Sequence, residues 1–397
     1  MHSIPTLIIG GGTAGASVAC ALAELGAGVG VTIVDVDLFG RLGSSASSAG
    51  GVNCLFADSL DVRLAVESIA FFRSLASKID YHEQGSLWLC GPETLGRARQ
   101  WVETARPLGV EADVLAPAAT RERFPLLDDL SDVAGAVLTH AGGFVSPHRL
   151  RIHYLNRAQA GGVELMDHWQ VVRIEGNAPP YRVTLRQVGP RSVKRALTDG
   201  AEKGDELPIA AERIINAAGP WSSRIAEIYG RRLPIAPESR QMFLVAAKPG
   251  VDLRPLPVFI DAPQDIAFRY GEFDRKPALL VTGSSSAGRI DYAQQTYQSA
   301  VEPKLIKRAP NMAGADVYRA WVAYDDYSAD RRAIVGPVPG LPGLFNFNGL
   351  SARQTSTAPA MARAMAERLI TGRWPDGLNL DELSEARFAQ APSTASV

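Results

Sequence analysis

The stretch Gly10-Gly-Gly-Thr-Ala-Gly15 constrains this chain more than any other. It spells GxGxxG through Gly10, Gly12 and Gly15, between an apolar run, Thr6-Leu-Ile-Ile9, and a helix-length segment, Ala16–Leu25. A strand that stops in such a turn and feeds a helix needs glycine for three reasons: the tight turn, close backbone approach to a phosphate, and close helix–strand packing. A second apolar run, Val31-Thr-Ile-Val34, completes a strand–helix–strand unit with parallel strands. Asp35 stands at the end of that second strand, where a carboxylate can accept hydrogen bonds from both hydroxyls of an adenosine ribose. Between Gly10 and Ala23 there is no Asp or Glu, although acids favour the first turn of a helix. An anionic ligand at that N-terminus accounts for the gap.

The rest of the chain reads as more than one folding unit, since 397 residues exceed what one core usually organises. Helical spacing marks Ser59–Ser77, Leu95–Leu108 and His148–Gly161, and strand-like runs fill most of Leu233–Tyr324, with one helical piece at 293–308. The polar segment Gln187–Pro208 reads as a mobile surface loop or hairpin tip, and Gln390–Val397 as a loose tail. A strand at Phe345–Phe347 leads to a terminal helix at Thr357–Thr371, capped by Ser356 or Thr357, with Pro359 in its first turn. The expected fold is α/β: a discontinuous Rossmann-like domain from 1–80, 144–232 and 335–397, and a β-rich substrate domain of mixed sheet plus helices from 81–143 and 233–334.

Charge and cysteine usage narrow the function classes. A net charge of -1 gives no general reason to expect nucleic acid or an anionic membrane surface as partner. Cys20, Cys54 and Cys90 fall at no metal-ligand spacing and form no disulfide framework, so no metal is expected. No run of about 18 apolar residues calls for a transmembrane segment. A reducing, cytoplasmic setting follows as the expectation. Two more acid-free stretches stand out, Phe39–Phe56 with Gly43-Ser-Ser-Ala-Ser-Ser-Ala-Gly-Gly51, and Asn346–Ala366. Loops of small residues with free N–H groups suit a second phosphate and a flat ring.

Four blocks resemble the FAD-dependent D-amino-acid oxidase superfamily: Leu7–Gly15; Gly43–Gly51; Ile214-Ile-Asn-Ala-Ala-Gly-Pro-Trp221; and Trp321–Gly336 with Asn348–Gly372. The last block looks most like the dimethylglycine dehydrogenase, sarcosine oxidase β-subunit and FOXRED-type branch. The resemblance implies non-covalent FAD, because no Cys lies in the C-terminal region and no His in the serine loop. It implies a pyrophosphate at Gly10, Gly12 and Gly15, a ribose at Asp35 and an adenine near Val172. Ala218, Gly219 and Trp221 would stand close to the dinucleotide. The isoalloxazine would lie against Ser44, Ser45, Ser48, Gly50 and Gly51, with one edge at Gly349, Leu350, Ser351, Arg353, Gln354 and Thr355.

The substrate side departs from the family pattern. The position that often holds a carboxylate-binding Arg is Asp325 here, which is either a salt-bridged structural acid or an attractor for a cationic amine. Its neighbour Asp326 reads as solvated. By resemblance Tyr270 would stand over the flavin, with a core aromatic as the alternative, and Arg269, Arg240 and Arg353 are the candidates for a substrate carboxylate. Tyr270, Asp325 and Arg353 are thus the expected substrate-proximal residues. The lysine that aids oxygen reaction in sarcosine oxidases falls near Val281, which favours a dehydrogenase with an electron-acceptor protein as partner. His148 and His153 receive no role. The implied activity is oxidation of the C–N bond of a secondary amine or N-alkyl amino acid; the alternative is an FAD-binding partner or assembly protein with little turnover.

Overall fold

In the computed structural model the described residues are 2–198, 204–254, 256–284 and 293–390. They form two compact units, one from residues 1–47, 147–238 and 325–397, the other from 48–146 and 239–324.

The first unit is built on a sheet with the path Ile334–Pro337, Leu344–Asn348, Glu206–Asn216, His2–Ile9, Val31–Asp35, Glu164–Asp167. The four strands from Leu344–Asn348 to Val31–Asp35, and Glu164–Asp167 beyond them, run parallel to their neighbours in this path. Their sequences are nearly continuous apolar runs because both faces are covered. Leu7, Ile8, Ile33, Ile214 and Ile215 are wholly buried, each contributing about 1.5–3 kcal/mol over an exposed position. The helices Thr13–Glu24, Pro147–Ala160 and Gln354–Thr371 belong to this unit, and Thr13–Glu24 packs against the other two. Trp169–Glu175 and Tyr181–Gln187 extend the sheet as an antiparallel pair.

The second unit centres on a mixed sheet in the order Val317–Ser328, Ile235–Ala246, Lys276–Ser284, Ile266–Phe273, Val258–Asp261, Ser86–Cys90, Gly135–Thr139, Ala112–Leu115. The first two strands contribute their larger part to this unit. Its core gathers Phe243, Phe259, Phe268, Leu279, Val281 and Tyr297.

Several expectations shift. Residues 48–80 lie with the β-rich unit, because helix Ser59–Ser74 packs on helix Pro92–Ala105 and Gly51–Val52 pairs with Gly143–Phe144. Residues 325–334 lie with the first unit. Within the expected loop Gln187–Pro208, Val193–Thr198 is helical, and Val193 and Ala196 are buried with Val36 and Val188; residues 199–203 lie outside the described ones. The expected tail lies outside them from 391 onward. The terminal helix begins at Gln354, with Arg353 as its N-cap, one turn before the expected start. Thr357 instead donates its hydroxyl to Arg353 O at 3.0 Å, and Pro359 sits inside the helix.

Candidate functional site

The glycine turn is shaped by backbone contact. Gly10 has φ +102°, and a Cβ there would come 2.5 Å from Ala217 O. A Cβ on Gly15 would stand 1.9 Å from Gly10 O, so neither position admits a side chain. Gly12 caps helix Thr13–Glu24 without a side-chain oxygen, and the first turn carries no acid. Ser45 Oγ accepts Thr13 N–H at 2.8 Å and would be 2.9 Å from a Cβ on Gly12, so the serine loop closes over the turn. Asp35 accepts Gly11 N–H at 2.5 Å and Asp37 N–H at 2.9 Å. Each carboxylate oxygen keeps a second lone pair for a ribose hydroxyl. Burial pushes the Asp35 carboxyl up, while these two amides pull it down.

The other expected cofactor residues fall as follows. Ser44 Oγ is buried without a partner, and Gly50 O accepts Val145 N–H at 3.0 Å. Ser48 is half-buried, and no protein atom lies within 4 Å of a Cβ built on Gly51. Val172 alternates with the core residue Val171 on strand Trp169–Glu175. Ala218 and Gly219 follow strand Glu206–Asn216 directly, and Gly219 has φ +51° with open space around it. Trp221 differs: its indole N–H donates to Leu197 O at 2.5 Å, which ties it to the helix that sequence reading took for a loop.

The turn before the terminal helix is strained. Gly349, Ser351 and Ala352 have φ of +61°, +52° and +60°, the last two without glycine's freedom. Ser351 N–H donates to Asp326 O at 3.0 Å, Ser328 N–H to Ser351 Oγ at 3.2 Å, and Leu350 bridges Tyr327. Leu350, Ser351 and Thr355 are buried; Arg353 and Gln354 are half-buried. Gln354 Nε2 donates to Asp325 Oδ1 at 3.1 Å, so Asp325 braces the first residue of the helix. Asp326, expected in solvent, is 5% exposed. Burial pushes its carboxyl up to about 7, against the pull of nearby backbone amides, and the charge of Asp325 raises it further.

The β-rich unit holds two arginines with opposite surroundings, Arg308 buried and Arg269 half-buried. Arg308 is fully paired: Nε and Nη2 meet Asp261 at 2.6 and 3.0 Å, and Nη1 meets Asp132 Oδ1 at 2.6 Å. Arg269 donates only to carbonyls, from Nε to Ala49 O at 2.8 Å and from Nη1 to Tyr270 O at 2.6 Å. Its guanidinium carbon stands 4.1 Å from the centroid of Phe144, on which His82 stacks at 4.7 Å. Among the described residues no carboxylate lies within salt-bridge distance of Arg269, and burial lowers it to about 10. Arg240 is half-buried on strand Ile235–Ala246. Tyr270 packs in the unit's core, with its hydroxyl donating to Glu272 Oε1, and burial together with that carboxylate raises it to about 12. Val281 is wholly buried in the same core, where a lysine's charge would be uncompensated, so its identity carries no information about oxygen.

Sequence reasoning passed over Arg151, which is 2% exposed on helix Pro147–Ala160 and donates to the carbonyls of Asp37 and Gly40. It thereby holds the loop that follows Asp35. His148 lies one turn earlier, lowered by burial and by Arg41 and Arg151.

A family model described as FAD dependent oxidoreductase matches residues 6–368. The chain belongs to this family of FAD-dependent oxidoreductases, and FAD is its cofactor. FAD-dependent oxidoreductase domain-containing protein 1 of Mus musculus is 26% identical, over 93% of this chain and 81% of that protein. Mitochondrial sarcosine dehydrogenase of Mus musculus is 21% identical; the match covers 92% of this chain and 40% of that longer protein. Among solved structures, L-proline dehydrogenase from P. horikoshii aligns with a TM-score of 0.80 at 20% identity, covering 98% of each chain. The glycine cradle, the acid-free first turn and the open lone pairs of Asp35 fit the dinucleotide. No described helix is long and apolar enough to cross a membrane.

Proposed function

We propose that this oxidoreductase acts on a secondary amine or N-alkyl amino acid, breaking the C–H bond next to nitrogen and leaving a C=N bond. Bound FAD supplies the acceptor for the hydride and its electron pair. The nitrogen lone pair of the neutral amine forms the new bond, so no side chain has to act as base. The chain's own task is then to bind and orient the substrate.

One observation carries this reading: Arg269 is a half-buried cation that donates to backbone carbonyls and has no carboxylate within salt-bridge distance among the described residues, Asp80 acting on it only at longer range. An uncompensated charge of this kind is unfavourable in the protein alone and favourable once an anion arrives. A substrate carboxylate answers it with a charge-assisted, potentially bidentate contact over the Phe144 face. The names of two similar proteins, sarcosine dehydrogenase and L-proline dehydrogenase, both refer to secondary amino acids, in keeping with that substrate class.

The test is an anaerobic panel of primary, secondary and N-methylated amines and amino acids against the flavoprotein, read as bleaching of the flavin band. Secondary amino acids should bleach it fastest. Bound flavin that no member of the panel reduces would favour the partner or assembly role instead.

A further inference from the structure

The mixed sheet of the β-rich unit has two faces of unlike character. Ile266, Phe268 and Tyr270 on strand Ile266–Phe273, and Leu279 and Val281 on strand Lys276–Ser284, point into the large core. Ala278 and Leu280 point the other way, into a smaller cluster with Met242, Leu244 and Ala323. Strand alternation puts Ala267, Arg269 and Thr282 on this second face. Two glycines mark the same division: a Cβ on Gly271 would stand 3.2 Å from Leu244 Cδ1, whereas one on Gly283 would meet Val301 of the large core. Ala49, whose carbonyl takes Nε of Arg269, packs against the smaller cluster, so the guanidinium is held on the second face.

Arg269 stands opposite Leu280, and Leu280 opposite Leu244; in the next row Ala267 stands opposite Thr282, and Thr282 opposite Met242. Arg269 and Thr282 are thus diagonal neighbours on one face, at a Cα separation of about 7–8 Å. Thr282 is 8% exposed, and its hydroxyl makes no hydrogen bond among the described residues. Its row neighbours Met242 and Ala267 offer it at most a thioether. A buried hydroxyl in such surroundings calls for a partner that arrives from outside.

We propose that Thr282 reads the substrate's nitrogen: its hydroxyl oxygen accepts the N–H of a secondary amine whose carboxylate is held at Arg269, so the site prefers secondary over tertiary amino acids. This rests on the reading of Arg269 as the carboxylate anchor. A neutral secondary amine carries one N–H and one lone pair. The C–H bond breaks with its electron pair leaving as hydride to bound FAD, and the nitrogen lone pair closes the C=N bond. The nitrogen keeps its proton meanwhile and gains positive charge, before releasing that proton to water. A hydroxyl that accepts this N–H leaves the lone pair free and binds more tightly as the charge develops, so the contact favours the step itself. A neutral tertiary amine has no N–H to offer.

The experiment compares the secondary amino acid that reduces the flavin fastest with its N-methyl derivative, in anaerobic rapid mixing with the holoprotein. Wild type should reduce faster with the secondary substrate. Thr282→Val, close to the same shape, should slow that reduction roughly 10- to 100-fold, the worth of a charged hydrogen bond, and leave the N-methyl derivative unchanged. Thr282→Ser should keep the wild-type preference. A wild type without preference, equal losses for both substrates, or no loss for either would overturn the proposal. Should Thr282→Val hold no flavin, Thr282→Ala is judged by the same ratio, and absence of flavin from both makes the residue structural and overturns it too. Failure of the Arg269 reading shows separately, as an unchanged KM for carboxylate substrates in Arg269→Met. Flavin that no amino acid reduces would strike instead at the proposed function.

Discussion

The glycine cradle and the surroundings of Arg269 obey different rules. In the cradle, backbone geometry dictates residue type: a Cβ on Gly15 would stand 1.9 Å from Gly10 O, and no other amino acid fits. Around Arg269 what matters is a charge that meets backbone carbonyls and an aromatic face but no ion pair. A requirement of the first kind is written into the sequence as a spacing of glycines. One of the second kind becomes visible only when depth and neighbours are known, because Arg308 and Arg269 are the same letter with opposite circumstances.

The sharpest way to break this contrast is in the cradle itself. Gly15→Ala should yield no flavin-loaded protein, and Gly12→Asp should abolish FAD binding by setting a charge against the pyrophosphate. Flavin released on denaturation, counted per chain, measures both, and normal content in Gly12→Asp would remove the assignment of the turn. Next in size is Arg308→Met, which leaves the Asp261 carboxylate buried and alone and should cost about 3–5 kcal/mol in urea unfolding. Arg269→Met should cost no stability of that order, because it strands no carboxylate. It should raise KM for carboxylate-bearing substrates roughly 10- to 100-fold, the worth of a charged hydrogen bond, at unchanged flavin content. Equal KM changes for substrates with and without a carboxylate would refute the anchor.

Smaller effects refine the picture near the strained turn. Asp325→Asn keeps the contact with Gln354 and should raise KM for cationic amines by about threefold, the scale of a half-exposed ion pair. Unchanged kinetics with every amine would make Asp325 purely a brace. Asp326 also predicts a pH trend in stability. Its carboxyl is raised on folding from the ordinary 3.8 to about 7, so its contribution is complete below that ordinary value and is lost as pH rises through 7. Asp326→Asn should flatten that decline in denaturant midpoints between mildly acid and alkaline buffer.

The parallel core strands and the cradle were legible because apolar runs, glycine spacing and missing acids each have one dominant physical cause. The helix Val193–Thr198 was not, since its buried seam is only Val193 and Ala196 within a polar segment. The burial of Asp326 was hidden for another reason. Nothing local to Asp325-Asp326 says which of two adjacent carboxylates turns inward; that follows from the turn at Gly349–Ala352, which is distant in sequence. Strand alternation carries Tyr270 into the core with Ile266 and Phe268, the alternative that the sequence left open beside a place over the flavin.

The pairing of His2–Ile9 between Val31–Asp35 and Glu206–Asn216 bears on how the chain emerges during synthesis. The glycine turn is made before residues 209–216, so one flank of its strand stays open until they appear, and Leu344–Asn348 joins the sheet later still. An apolar strand with an unpaired edge invites pairing with other chains. The segments that border the glycine turn at Ala217 and Gly349 are thus in place only once those later strands have paired.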